Sequence, residues 1–189
     1  PSITPTGSRP PLLFTGIGVP QGIGVDSVRR RLLVAERDTN SVAVFDAATT
    51  GRLATIPTGS SPFGLAVNNV TGKAYVANFF GNSITVIDAS TNQILTTLTG
   101  IEGPHNLQAA PDGKTIWAVS GHESLALMID ASTYQLHGVV PTGNEPAHII
   151  LTPDGKTAYT TNGGDNTVSI IDVTTMKSIG TIPVGEYPH

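Results

Sequence analysis

The chain has 189 residues, 39 % of them hydrophobic and only 13 % charged, with a formal net charge of −4. That length buries a real core as one domain, and so low and slightly acidic a charge excludes nucleic-acid binding through bulk electrostatics. There is no cysteine, which excludes c-type haem attachment, cysteine-ligated iron–sulfur clusters and thiol catalysis, and no apolar run approaches the roughly 18 residues of a membrane span.

In chain order, residues 1–19 form an N-terminal segment. Its stretch 11–16 matches 95–100 in phase, so 12–15 is expected to be an outer strand that closes a ring. From Pro20 a period of 42 residues runs without insertion or deletion. Proline recurs at Pro20, Pro62, Pro104, Pro146 and Pro188, and aspartate at Asp46, Asp88, Asp130 and Asp172. Such a period marks repeats that bury their apolar faces against one another. The repeats span 20–61, 62–103, 104–145 and 146–187, and residues 188–189 start a further one.

The second repeat is the clearest. Its apolar runs 64–67, 74–77, 84–87 and 94–98 are rich in Val, Ile, Thr and Tyr and lie about ten residues apart, the pattern of consecutive antiparallel strands. In the first repeat, 22–25, 32–35, 42–45 and 53–56 fill the same slots. Pro111-Asp112-Gly113-Lys114 and Pro153-Asp154-Gly155-Lys156 are hairpin turns in which glycine supplies positive φ, and Thr71-Gly72-Lys73 is a shifted version. No stretch keeps a 3.6-residue apolar period. Four strands per repeat, stacked radially, predict an all-β protein: a β-propeller of four-stranded antiparallel blades. A parallel solenoid has shorter coils, and a sandwich needs no such self-similarity. The first strands, including 106–109 and 148–151, are expected nearest the central channel.

Tyr75-Val76-Ala77-Asn78, then Gly81-Asn82 and Ile84-Thr85-Val86-Ile87-Asp88, resemble the YVTN family of propeller repeats. Tyr159-Thr160-Thr161-Asn162 with residues 166–172 is a second match, and Leu33-Val34-Ala35-Glu36 and Trp117-Ala118-Val119-Ser120 are degenerate ones. The resemblance covers about residues 20–187. It implies a propeller of the periplasmic or cell-surface type, surface-layer components included, and its relatives also include copper enzyme domains and subunits of quinone or haem enzymes. Fold likeness does not transfer chemistry. Four repeats are expected to be part of a ring of seven or eight blades, completed by further sequence or by a second copy. Because the sequence begins at Pro1 and is rich in Thr, Ser, Asn and Gly, it reads as that of an exported, processed or trimmed protein.

Histidine is the most telling residue type. His105 and His189 share the column just after the repeat proline, and His148 lies one position further on, in the column of Asn106. All four are expected at one rim of the channel as ligand-binding residues. Converging imidazoles suit copper or another transition metal, although the same column holds Gln21, Phe63 and Ala147, and structural hydrogen bonding is the plainer role. His122 and Glu123 replace the regular turn of the third repeat and are candidates for loop contact or acid–base work. The once-per-repeat aspartates, each with threonine three residues later, are expected to form Asx turns. Arg29-Arg30-Arg31 is a basic run in a turn, and Ser120-Gly121-His122-Glu123 lacks the elbow of a serine nucleophile.

These readings favour an exported, non-catalytic binding or scaffold module with a protein or small ligand and no cofactor. It makes no nucleic-acid contact and has no membrane span. The alternative is a copper-type oxidoreductase domain using His105, His148 and His189 as metal ligands. A lactonase or lyase finds no positive support in these residues.

Overall fold

A computed structural model describes residues 15–189. It contains four separate four-stranded antiparallel sheets and, among the described residues, no helix. Blade 1 comprises β1 (Pro20–Asp26), β2 (Arg31–Glu36), β3 (Ser41–Asp46) and β4 (Arg52–Pro57). Blade 2 comprises β5 (Pro62–Asn68), β6 (Lys73–Asn78), β7 (Ser83–Asp88) and β8 (Gln93–Thr99). Blade 3 comprises β9 (Pro104–Ala109), β10 (Thr115–Ser120), β11 (Leu125–Asp130) and β12 (Leu136–Pro141). Blade 4 comprises β13 (Pro146–Leu151), β14 (Thr157–Asn162), β15 (Thr167–Asp172) and β16 (Lys177–Pro183). Within each sheet the strands pair in sequence order, and the first strands of successive blades lie side by side. The expected closing strand at 12–15 falls outside the described residues except for Thr15, which is not in a strand.

The core lies between blades. Leu33 and Val44 of blade 1 pack against Leu65 and Val76 of blade 2. One period later, Tyr75 and Val86 meet Leu107 and Ile116, and Trp117 meets Ile149, Leu151 and Ala158. Strand alternation explains the arrangement: residues two apart share a face, so one face of each sheet covers the previous blade and the other the next. Blade 4 leaves Ile150 and Ile179 about 60 % exposed, and blade 1 leaves Ile23 and Val25 similarly open.

The turns obey the period more strictly than the residue types do. Each repeat aspartate caps its hairpin: Asp46 Oδ1 accepts the amides of Ala48 and Thr49 at 2.9 and 2.7 Å, and Asp88, Asp130 and Asp172 accept those of Thr91, Thr133 and Thr175. Hydrogen bonds from the Thr49 and Ala48 amides hold the Asp46 carboxyl below its ordinary range. The residue that closes this hairpin is left-handed in every blade: Thr50, Asn92, Tyr134 and Met176 have φ of 63°, 61°, 62° and 54°. Asparagine tolerates this region, whereas a β-branched threonine is strained in it. Thr50→Asn is therefore expected to raise stability by about 1 kcal/mol, measurable as a higher denaturation midpoint at unchanged slope.

A second column closes the other end of each blade. Glu36, Asn78, Ser120 and Asn162 are all buried. Asn162 Nδ2 donates to Thr167 and Ser169 hydroxyls, both at 2.9 Å, and Asn78 does the same to Ser83 and Thr85. Glu36 is held by Arg52 at 2.6 Å and by Ser41 and the Gly18 amide. Burial pushes its carboxyl up, but these hydrogen bonds outweigh it and leave the group below its ordinary value. The arginine run is likewise engaged: Arg29 pairs with Asp26, and Arg31 reaches across to the Ala89 carbonyl at 2.7 Å.

Candidate functional site

The repeat proline opens each first strand, and the ladder slips just after it. In blade 4, Pro146 faces Asn162 and Ile149 faces Thr160, so Ala147 and His148 share Thr161 between them. Blades 1 and 2 slip at the equivalent place, between Pro20 and Ile23 and between Pro62 and Leu65, and blade 3 slips between the partners Pro104 and Leu107. Such a bulge takes residues out of regular alternation and re-aims their side chains. Here it falls on His105 and Asn106 in blade 3 and on Ala147 and His148 in blade 4. The His148 amide, freed from the ladder, donates to Thr161 Oγ1 at 3.1 Å.

The result is an imidazole cluster at the channel mouth. The ring centroids of His105 and His148 are 6.0 Å apart, those of His105 and His189 5.2 Å, and those of His148 and His189 4.8 Å. One ring nitrogen from each of the three lies within 4.8 Å of the other two. His105 and His148 are half-buried and His189 is exposed. His105 Nδ1 sits 2.9 Å from the Ala147 carbonyl oxygen. A carbonyl only accepts, so Nδ1 carries the proton and the neutral ring keeps its lone pair on Nε2. Burial, and after it the neighbouring His189, brings the His105 ring down to about 4, and the same two causes lower His148.

Aromatic rings frame this cluster. Phe63, one blade earlier in the same column, lies 4.2 Å from the His105 ring centroid to centroid. Phe79 stands edge-on to both His105 and His122, at 5.7 and 5.2 Å. Phe79, His105, His122, Glu145, Tyr187 and His189 line a cavity of about 280 Å³.

Of the sequence-predicted residues, His105, His148 and His189 come together, and His122 joins them across the cavity. Asn106 follows His105 on β9 with its Cα against Gly64, and it does not belong to the imidazole group. Glu123 turns elsewhere: its carboxylate accepts the Ser120 hydroxyl at 3.0 Å and lines an outer groove with Leu98 and Leu125. His122 and Glu123 therefore face different spaces. Ser120 is fully buried, and its hydroxyl oxygen also lies 2.5 Å from the Glu102 carbonyl oxygen, so its one proton is shared between two acceptors and the hydroxyl is a structural pin. Sequence reasoning passed over Phe63, Phe79, Glu145 and Tyr187. Phe63 was visible as a column-mate of His105; Glu145 and Tyr187 precede repeat prolines in a connection whose residue types vary.

Four-stranded blades stacked about a common inner edge, with a polar and aromatic mouth at one end of it, define a β-propeller. The chain belongs to the lactonase, 7-bladed β-propeller family, whose model matches residues 10–184. The described residues thus supply four blades of a ring described as seven-bladed. Among solved structures the chain is similar to one described as Kuenenia stuttgartiensis hydrazine synthase, with a TM-score of 0.81 and 21 % identity, over 92 % of this chain and 51 % of that one. It spans about half the length of that chain, and at this identity the likeness concerns the fold. No curated protein matches.

Proposed function

We propose that this chain is the ligand-holding part of an exported, YVTN-like β-propeller, a binding or scaffold module that receives a small ligand or a partner's side chain at its channel mouth. The observation that carries this reading is the mouth cavity of about 280 Å³, walled by Phe79, Tyr187 and imidazole rings. A concave, largely aromatic seat with a few polar groups is the usual form of a ligand site. The flat faces of a propeller, where its loops gather, suit a broader protein contact around it. The exposed Ile23, Val25, Ile150 and Ile179 suit contact with further blades, whether of the same ring or of a second copy. The cysteine-free, weakly charged composition fits life outside the cytoplasm, in the periplasm or at the cell surface.

The family's name raises a second reading, hydrolysis of a lactone at the same mouth. It needs a group that activates water, and exposed His122 is the imidazole lining the cavity that stands outside the His105–His148–His189 group. Two measurements separate these readings. In amide NMR spectra, a mixture of small aromatic and saccharide fragments at millimolar concentration is expected to shift Gly121, Ala147 and Gly163 at the mouth. Shifts confined to other surfaces would contradict the proposed seat. Acid release from a panel of aliphatic and sugar lactones is expected to match buffer alone; a rate that disappears in His122→Ala would establish the catalytic reading instead.

A further inference from the structure

We propose that His105, His148 and His189 together bind one divalent first-row transition-metal ion, of the zinc or copper class, at the channel mouth. The inference deepens the binding reading by naming the chemistry of the ligand. Three features of the geometry point to it.

The donor set consists of imidazole nitrogens, which suit zinc, copper, nickel or iron and not the oxygen-seeking calcium or magnesium. The three nitrogens lie within 4.8 Å of one another. Around a tetrahedral ion bonded at about 2.0 Å, ligand nitrogens stand about 3.3 Å apart, so closure brings the nitrogens together by up to about 1.5 Å, and exposed His189 is the side chain free to approach. Two of the donors stand on strand bulges that the repeat places side by side, and the third, His189, follows one period after Ala147.

The support around the donors is that of a metal ligand. His105 gives its Nδ1 proton to the Ala147 carbonyl, which fixes the tautomer that presents Nε2, the commonest outer partner of a ligating histidine. Phe63 and Phe79 pack against the same ring and restrict its rotation. Three protein ligands leave a fourth position open, as in zinc sites that receive an exchangeable ligand. Two of the three donors, His105 and His189, line the same cavity as Glu145, His122 and Tyr187, so an exchangeable ligand has room there and a carboxylate stands at the same mouth.

The test uses the untagged 189-residue chain, freed of metal by chelator and dialysed. Titration calorimetry with zinc chloride, and visible absorption with cobalt chloride, are expected to show one equivalent bound with the spectrum of a four-coordinate ion. His105→Gln and His148→Ala should each weaken zinc binding by about tenfold or more, while retaining the wild-type circular dichroism spectrum. His137→Ala, on β12 and outside the imidazole group, should leave affinity unchanged. Absence of stoichiometric binding, or binding that survives both His105→Gln and His148→Ala, would overturn the metal site. Fragment shifts at Gly121 and Gly163 without any metal binding would overturn this inference alone and leave the binding seat standing.

Discussion

Trp117→Ala is expected to lower folding stability by about 3–5 kcal/mol, the range for an aromatic removed from a close-packed core. Trp117 is fully buried and is the largest of the buried side chains. It stands on β10 and fills the seam between blades 3 and 4 against Ile149, Leu151 and Ala158, so its loss leaves a cavity that two flat sheets cannot close by shifting one side chain. The repeat also prescribes the gentler substitution. Tyr75 occupies the same column one blade earlier, with its hydroxyl 3.4 Å from the Ala131 carbonyl, and one period after Ala131 comes Val173, which packs against the cluster that holds Trp117. Trp117 Nε1, by contrast, is buried with no hydrogen-bond partner, an arrangement that costs free energy. Trp117→Tyr should therefore retain most of the stability that Trp117→Ala forfeits. Denaturant midpoints followed by circular dichroism, at constant slope, measure both; equal losses in the two variants would contradict this packing.

Gly64→Ala is the second substitution with a large expected effect, and it joins stability to the site. A Cβ at this position would lie 2.6 Å from Asn106 Cα and 2.6 Å from the His105 carbonyl oxygen. Both are backbone atoms, so no rotamer change relieves the clash and β5 and β9 must separate. Overpacking of this kind costs about 1–3 kcal/mol. Because the displaced strand carries His105, the same change should weaken zinc binding in the protein that remains folded. Gly51→Ala, whose added methyl meets only the Thr49 hydroxyl at 3.5 Å, serves as the control and should alter neither quantity. Normal zinc affinity in a destabilised Gly64→Ala protein would separate the close approach from the placement of His105.

The repeat was legible because its cause is local and recurs. A proline that opens the inner strand, an aspartate that caps the third hairpin and apolar runs at strand spacing state the blade four times over. The strands of the structure extend the expected runs by one or two residues at their ends, where pairing continues through polar positions such as Asn68 and Asp88. Less legible were the left-handed turn residues. Thr50, Tyr134 and Met176 carry no preference for positive φ, yet the hairpin register and the aspartate cap impose it. A local rule based on glycine or asparagine finds only Asn92 in that column.

The mouth divides in the same way. A shared column announced that His105 and His189, two periods apart, would stand at one rim of the channel. The bulge that turns His148 toward them leaves no mark of its own in the residue types, since Gly64, Asn106 and His148 all occupy it. The opposite turning of His122 and Glu123 was hidden as well: adjacency along a turn says nothing about which space each side chain enters, and here the Ser120 hydroxyl draws the carboxylate away. Glu145 and Tyr187 were invisible for a third reason. They reach the cavity through a connection with positive φ, at 52° and 49°, that is set by backbone geometry and not by residue type.

The most direct test of the account is a crystal of the protein grown with cobalt and measured on both sides of the metal's absorption edge. The account predicts one anomalous peak at the channel mouth, bonded by one nitrogen each of His105, His148 and His189 at about 2.0–2.1 Å. A mouth without a peak, with the three imidazoles turned apart, would contradict it.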